Sequence, residues 1–94
     1  MSEIFRIYET DVFTGDIGDI QESIREKLKL KIRNHIYPIL RAQPFFGNNI
    51  KKLSNYEPPT WRYRIGDYRI FYSINTKEKV ISILAIHDRK DAYS

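Results

Sequence analysis

The sequence has no cysteine, one tryptophan, one methionine and no long apolar run. Without cysteine it can form neither a disulfide framework nor a thiolate metal site or nucleophile. No window approaches the roughly 18 apolar residues that a membrane-spanning helix needs. The N-terminal stretch "MSEIFRIYETD" carries acids where a secretory signal would carry basic residues. We therefore expect one domain over 1–94 that is cytoplasmic and does not bind membranes.

Basic residues are unevenly spread along the chain, whose net charge is +4. Residues 1–24 carry one basic residue against six acids, whereas residues 25–52 carry eight basic residues against one acid. A basic block of this kind is typical of proteins that meet phosphate groups. A solvated helix face is the equal alternative.

The apolar pattern of the first half predicts a strand followed by two helices. A strand is expected from Ile4 to Tyr8. Thr10 or Asp11 can cap a short helix that Gly15 and Gly18 interrupt. A long helix follows from Asp19, because large aliphatic residues recur about every four positions. The members of this stripe are Ile20, Ile24, Leu28, Ile32, Ile36, Ile39 and Leu40. We expect Pro38 to kink or end this helix early.

The second half predicts three strands, at about 60–66, 68–75 and 79–87, after a turn-rich connection over 47–59. Gly66-Asp67 is a two-residue hairpin turn with glycine first, as a type II′ turn requires. The predicted fold is therefore α+β. It has an N-terminal strand and a helical hairpin with a short first helix and a long second helix. The hairpin packs on an antiparallel β-sheet that ends in a C-terminal three-stranded meander.

The stretch "TWRYRIGDYRIFYSI" alternates arginine with large apolar residues on both sides of that turn. A two-residue turn places Ile65 opposite Tyr68 and Arg64 opposite Arg69, and successive side chains point to opposite faces. The predicted core face carries Trp61, Tyr63, Ile65, Tyr68, Ile70, Tyr72 and Ile74. The other face carries Arg62, Arg64 and Arg69. Directly opposed like charges destabilise a sheet by roughly 0.2–1 kcal/mol, so we expect an anion or an acidic partner there, with a merely solvated arginine face as the alternative.

The last predicted strand leads towards the same arginines. Strict alternation places His87 on the core face with Ile81, Ile83 and Ala85, so it is either a structural histidine or a proton-transfer group. Arginines bind phosphate and stabilise a phosphoryl transition state. These parts suit RNA cleavage without a metal or cofactor. The candidate catalytic residues are Arg62, Arg64, Arg69, Arg89, Tyr93 and His87.

The stretches "WRYRIGDYRIFYSI" and "VISILAIHDRKDAY" together resemble the C-terminal core of the RelE/ParE superfamily of type II toxin–antitoxin toxins. The resemblance implies the predicted fold and an mRNA interferase that cuts codons in the ribosomal A site. In such toxins the 2′-hydroxyl attacks the adjacent phosphate and leaves a cyclic phosphate.

The resemblance also implies roles for individual residues. Arg62 and Arg64 match the basic strand residues before the turn, and Arg69 matches the phosphate-binding arginine. Arg89 matches the arginine that stabilises the transition state or protonates the leaving oxygen, and Tyr93 matches a tyrosine that stacks on the substrate. The order His87-Asp88-Arg89 departs from relatives that carry Gly-His before the arginine.

The implied partners are a cognate antitoxin, mRNA and the ribosome, with DNA contacted only through an antitoxin complex. Counterion release on RNA is expected from the basic residues Lys27, Lys29, Lys31, Arg33, Lys51, Lys52 and Lys90. Two alternatives stay open. The first is a ParE-like inhibitor of DNA gyrase without nuclease activity, and the second is a degenerate member that only binds an antitoxin.

Overall fold

A computed structural model describes residues 4–88 of the chain. Its elements are β1 (Arg6–Glu9), α1 (Asp11–Gly18), α2 (Glu22–Lys31), a π-helical segment (Ile32–Ile36), α3 (Tyr37–Ala42), β2 (Ile50–Lys52), β3 (Thr60–Ile65), β4 (Tyr68–Asn75) and β5 (Val80–Asp88). The α+β class, the short helix followed by a long one and the C-terminal meander are confirmed.

The five strands form one sheet in the order β1-β5-β4-β3-β2. β1 lies parallel to β5 and the other pairs are antiparallel, so the sheet is mixed rather than wholly antiparallel. A parallel pair needs a long crossover connection, which the helices and the meander supply. The prediction that 47–59 is only a connection was wrong, because this segment contains the edge strand β2. β2 has only three residues and lies among turn-forming residues. Its alternation of apolar and polar side chains is therefore too short to predict a strand.

Helix α1 begins where β1 ends, and Thr10 is its N-cap. The Thr10 hydroxyl accepts a hydrogen bond from the Phe13 amide at 3.2 Å, which is one of the two predicted caps. The prediction that Gly15 interrupts the helix was wrong, since α1 continues to Gly18. Phe13 and Ile17, one turn apart, are both buried, and this anchoring outweighs the cost of about 1 kcal/mol for an interior glycine.

The second helix is continuous over 22–42 and includes the π-helical segment directly before Pro38. The Tyr37 amide donates to the Ile32 carbonyl, five residues back. An early end at Pro38, one of the two effects predicted for this residue, does not occur, because the helix continues to Ala42. Pro38 stands in the first turn of α3, where its missing N–H interrupts least and the wider π turn accommodates its ring. Within 4–88, no helix is long and apolar enough to cross a membrane.

The core lies between the long helix and one face of the sheet. From the predicted stripe, Leu28, Ile32, Ile36 and Leu40 are buried. Ile24 and Ile39 are not, with exposed fractions of 41% and 46%. A repeat of four drifts around a helix of 3.6 residues per turn, which moves Ile24 away from the buried side. On the sheet side, the predicted residues Trp61, Tyr63, Ile65, Ile70 and Tyr72 are buried, and Tyr68 and Ile74 pack partly buried against them.

Two buried tyrosines connect the core to neighbouring segments. The Tyr72 hydroxyl donates to the Pro44 carbonyl at 2.7 Å, and the Tyr37 hydroxyl donates to the Glu9 carboxylate at 2.6 Å. Burial raises the pKa of Tyr72. Burial, followed by the hydrogen bond to Glu9, raises the pKa of Tyr37. Both hydroxyls therefore remain protonated donors at physiological pH.

Helix α1 covers the part of β5 that β1 leaves unpaired. β1 pairs with β5 only over 80–83, and an open edge exposes backbone polar groups. The Thr10 hydroxyl donates towards two carbonyl oxygens of β5, that of Ile83 at 2.8 Å and that of Leu84 at 3.2 Å. The Asp16 carboxylate accepts a hydrogen bond from the Ile86 amide at 3.2 Å. The side chains of Thr10 and Asp16 thus form hydrogen bonds with backbone groups at the open edge of β5.

We predict that Thr10→Val lowers the free energy of unfolding by about 1–2 kcal/mol, because it removes both the cap and the donor to β5. Chemical denaturation measures the change. Thr14→Val is the matched control, since the Thr14 hydroxyl bonds only the Asp11 carbonyl on the exposed side of the same helix. Equal losses in the two variants would contradict this role of Thr10.

Candidate functional site

The hairpin of β3 and β4 has the predicted register. Arg64 is paired with Arg69, and Arg62 with Phe71. Gly66 has a φ of 57°, as the first central residue of a type II′ turn requires. Because the turn contains two residues, the register follows directly and the two arginine side chains project from the same face.

That face of the sheet lies opposite the helices. We call this side of the sheet the arginine face, because it carries a row of cations. These are Arg6 on β1, Lys51 on β2, Arg62 and Arg64 on β3, and Arg69 on β4. None of the strand positions on this face within the described residues is Asp or Glu. Such a surface attracts anions, because the cations reinforce one another's field.

His87 lies on the arginine face, which corrects its prediction as a core-face residue. The pairing of β4 with β5 shifts between Phe71 and Tyr72, so that Phe71 pairs with Ala85 and Tyr72 with Ile83. Leu84 is the additional residue of this β-bulge. One inserted residue reverses the alternation, so Ile86 is buried and His87 is exposed. His87 is therefore paired directly with Arg69.

Two further side chains surround the His87 ring. The Phe71 ring meets it edge to face, with centroids 5.3 Å apart. A carboxylate oxygen of Asp16 lies 3.9 Å from His87 Nε2. Sequence reasoning missed Asp16, because this residue lies on α1, about 70 residues before His87 in the chain. Phe71 was also missed as a functional residue, although the alternation that predicts the arginine face includes it.

The cleft beside His87 has a volume of about 340 Å³ and lies between α1, the start of α2, the start of β4 and the end of β5. Its lining includes Asp16, Asp19, Tyr68, His87 and Asp88. Across the part of the chain that the structure describes, no cluster of three or more histidines and acids is placed to hold a metal ion. The lining of the cleft offers imidazole, carboxylate and phenol groups.

The four basic residues of the long helix that were predicted to bind RNA line two grooves. Lys27 and Lys31 line a groove beside the Gly66 turn. Lys29 and Arg33 line another, between α1 and α2. Neither pair joins the arginine face, because the helices pack on the other side of the sheet.

Lys51 and Lys52 also point in opposite directions. Lys51 is paired with Arg62 and belongs to the arginine face. Lys52 Nζ lies 5.4 Å from the centre of the Trp61 ring on the core side. The candidates Arg89, Lys90 and Tyr93 lie outside the described residues.

Solved toxin structures share this architecture. The chain is similar to the RelE–RelB complex of the archaeon Pyrococcus horikoshii, at 27% identity and a TM-score of 0.67, covering 92% of this chain and 96% of that chain. It is also similar to the toxin–antitoxin complex RelBE2 of Mycobacterium tuberculosis, at 20% identity and a TM-score of 0.71, covering 90% and 98%. A variant of the E. coli toxin RelE in the free state matches at 16% identity and a TM-score of 0.65, covering 98% and 90%.

At the level of sequence, no curated protein matches the chain. The family profile described as "ParE toxin of type II toxin-antitoxin system, parDE" matches residues 8–93. This range includes β1 from Tyr8 onward, both helices and the strands that build the arginine face. The chain therefore belongs to the RelE/ParE superfamily of type II toxin–antitoxin toxins.

Proposed function

We propose that this toxin is a ribosome-dependent mRNA endonuclease whose arginine face binds the scissile phosphate. The observation that supports the proposal most strongly is the direct pairing of Arg64 with Arg69 on a face that also carries Arg62 and His87. Directly opposed like charges repel, and an anion between the two guanidinium groups would offset this repulsion. A phosphate diester of a bound RNA strand fits this requirement, because guanidinium groups bind phosphate bidentately.

The reaction proposed is transfer of the phosphate ester within the RNA. The 2′-oxygen forms a bond to phosphorus, and the bond to the 5′-oxygen of the next nucleotide breaks. One proton leaves the 2′-hydroxyl and one is delivered to the departing 5′-oxygen, so a cyclic phosphate and a free 5′-hydroxyl result. The arginines would stabilise the additional negative charge in the transition state, which is the usual source of most of the rate acceleration.

His87 is the proposed proton-transfer group among the described residues. Its imidazole is paired with Arg69 on the arginine face and lies beside the Asp16 carboxylate. The backbone bond from Ile86 to Asp16 keeps the carboxylate in place, so Asp16 would act as a positioning residue for the imidazole. Imidazole can both accept and donate a proton near neutral pH.

The remaining sequence candidates complete the proposal. Arg89 would assist the leaving oxygen, and Tyr93 would stack on the substrate, as the family resemblance implies. Lys51 extends the arginine face and would contact the RNA backbone. Contacts with ribosomal RNA are assigned to the basic residues Lys27, Lys29, Lys31, Arg33, Lys52 and Lys90, where each phosphate contact releases counterions.

A cognate antitoxin is the proposed protein partner. The P. horikoshii, M. tuberculosis and other similar structures are complexes of a toxin with an antitoxin. An antitoxin that covers the arginine face would need acidic side chains, because this surface carries only cations among its charged strand positions in the described part. Binding of such a partner would screen the paired arginines and block access of RNA.

We predict that Arg62→Ala, Arg64→Ala and Arg69→Ala each reduce cleavage by about 10²–10³-fold, the loss expected when one transition-state contact is removed. Primer extension on mRNA in a purified translation system measures the cuts. Lys77→Ala, which changes an exposed cation in the β4–β5 turn, should cut as well as wild type. Full activity in all three arginine variants would show that the site is elsewhere.

We predict that Arg64→Gln raises the free energy of unfolding by about 0.2–1 kcal/mol while it lowers cleavage, because it relieves the opposition to Arg69. Denaturant titration at low salt measures the gain. The gain should shrink in about 1 M salt, where the Debye length falls to about 3 Å. Lys77→Gln is the matched control, and a destabilised Arg64→Gln protein would contradict the proposed conflict between stability and function.

A second function, inhibition of DNA gyrase without nuclease activity, is favoured by the ParE name of the matching family profile. A supercoiling assay with purified gyrase separates the two functions. We predict that the protein leaves supercoiling unchanged at concentrations that produce ribosome-dependent cuts. Loss of supercoiling together with intact mRNA would assign the arginine face to protein binding instead.

A further inference from the structure

Phe71 is an aromatic side chain in the middle of the arginine face. It is half-buried and is paired with Arg62 on one side and with Ala85 on the other. Ser73, the next residue of β4 on this face, is also small. Within residues 4–88, the neighbours of the ring at Ala85 and Ser73 are small, so on this side part of the half-buried ring can meet a flat ligand.

The orientation of the ring is set by His87. The two rings meet edge to face at a centroid distance of 5.3 Å and an interplanar angle of 60°, an arrangement that aromatic pairs favour. His87 is itself held beside Asp16. The Phe71 ring is thus supported from one side by an imidazole rather than by the hydrophobic core.

Phosphate-binding groups lie within one residue pair of this ring. Directly opposed side chains on neighbouring strands have Cβ atoms about 4.5–5.5 Å apart, which places Arg62 next to Phe71. The paired Arg64 and Arg69 lie two residue pairs further towards the turn, on the same face. Proteins that bind single-stranded nucleic acid combine an aromatic ring, on which a base stacks, with cations that contact the backbone. An aromatic ring beside guanidinium groups is such a combination.

We propose that Phe71 is a base-stacking platform for one nucleobase of single-stranded RNA bound across the arginine face, with Arg62 contacting the adjoining phosphate. The inference rests on the proposed function in taking RNA as the occupant, and it adds a substrate-positioning residue on β4. Stacking tolerates any base because every base has a π face. The platform would therefore fix the position of a nucleotide and would not by itself select its identity.

The test uses a short RNA whose riboses all carry 2′-O-methyl groups, so that cleavage by the 2′-hydroxyl is impossible. One position carries 2-aminopurine, whose fluorescence falls when it stacks, and a second probe is abasic there. Fluorescence anisotropy gives affinity and 2-aminopurine quenching gives stacking. We expect wild type to quench the probe, and Phe71→Ala to bind it about 10-fold more weakly without quenching.

Three further variants distinguish stacking from packing. Phe71→Tyr should retain affinity and quenching, whereas Phe71→Leu, which remains apolar and fills most of the space, should behave like Phe71→Ala. Phe46→Ala is the matched control, since Phe46 is 71% exposed on a loop outside the strands of the arginine face. The abasic probe should bind wild type and Phe71→Ala equally.

Three results would each overturn the proposal. Phe71→Leu could bind and quench the probe as wild type does, or Phe71→Ala could lose as much affinity for the abasic probe as for the 2-aminopurine probe. The third result is that the wild type shows no saturable binding. Thermal unfolding of every variant shows whether a loss of binding reflects a loss of folding. Because the probe cannot be cut, the two proposals fail separately. Phe71-dependent stacking by a protein that cuts no mRNA would refute the endonuclease alone, and ribosome-dependent cuts without Phe71-dependent quenching would refute the platform alone.

Discussion

The antiparallel pairing of β3 with β4 across a two-residue turn is the constraint on which the rest of the molecule depends. It places the large aromatic residues of both strands on one face, where they pack against the long helix, and the arginines on the other. A slip of one residue would exchange the two faces. Burial of Trp61, Tyr63 and Tyr72 would then be lost, so the hydrophobic core maintains the register that opposes Arg64 to Arg69. The energy that stabilises the fold thereby also keeps these two cations opposite each other.

The bulge in β5 extends this arrangement to a third strand. Without the additional residue Leu84, His87 would point into the core and the arginine face would have no imidazole. Thr10 accommodates the bulge, because its hydroxyl donates towards the carbonyl groups of Ile83 and Leu84. The same hydroxyl caps α1, and α1 in turn carries Asp16 to the edge of β5. One threonine therefore links the start of a helix to the side chain that lies beside His87.

The surface that results has separate regions. The arginine face combines cations, an imidazole and the Phe71 ring, whereas the lysines of the long helix lie in two grooves on the other side of the sheet. A ligand on the arginine face and a second macromolecule against the helices can thus be bound simultaneously without competing for the same cations.

The amino-acid sequence by itself determined the α+β class, the meander, the hairpin register and the positions of Arg62, Arg64 and Arg69. These features follow from a side-chain period of two and from a turn that is local in sequence. Only the tertiary structure decided that β1 runs parallel to β5, that β2 is a strand, that Gly15 and Pro38 lie within helices, and that His87 faces the arginines. Those outcomes depend on satisfying hydrogen bonds and burying side chains between segments as far apart as Thr10 and Ile83, which are 73 residues apart in the chain. Local periodicity carries no information about which distant partner a backbone group will meet.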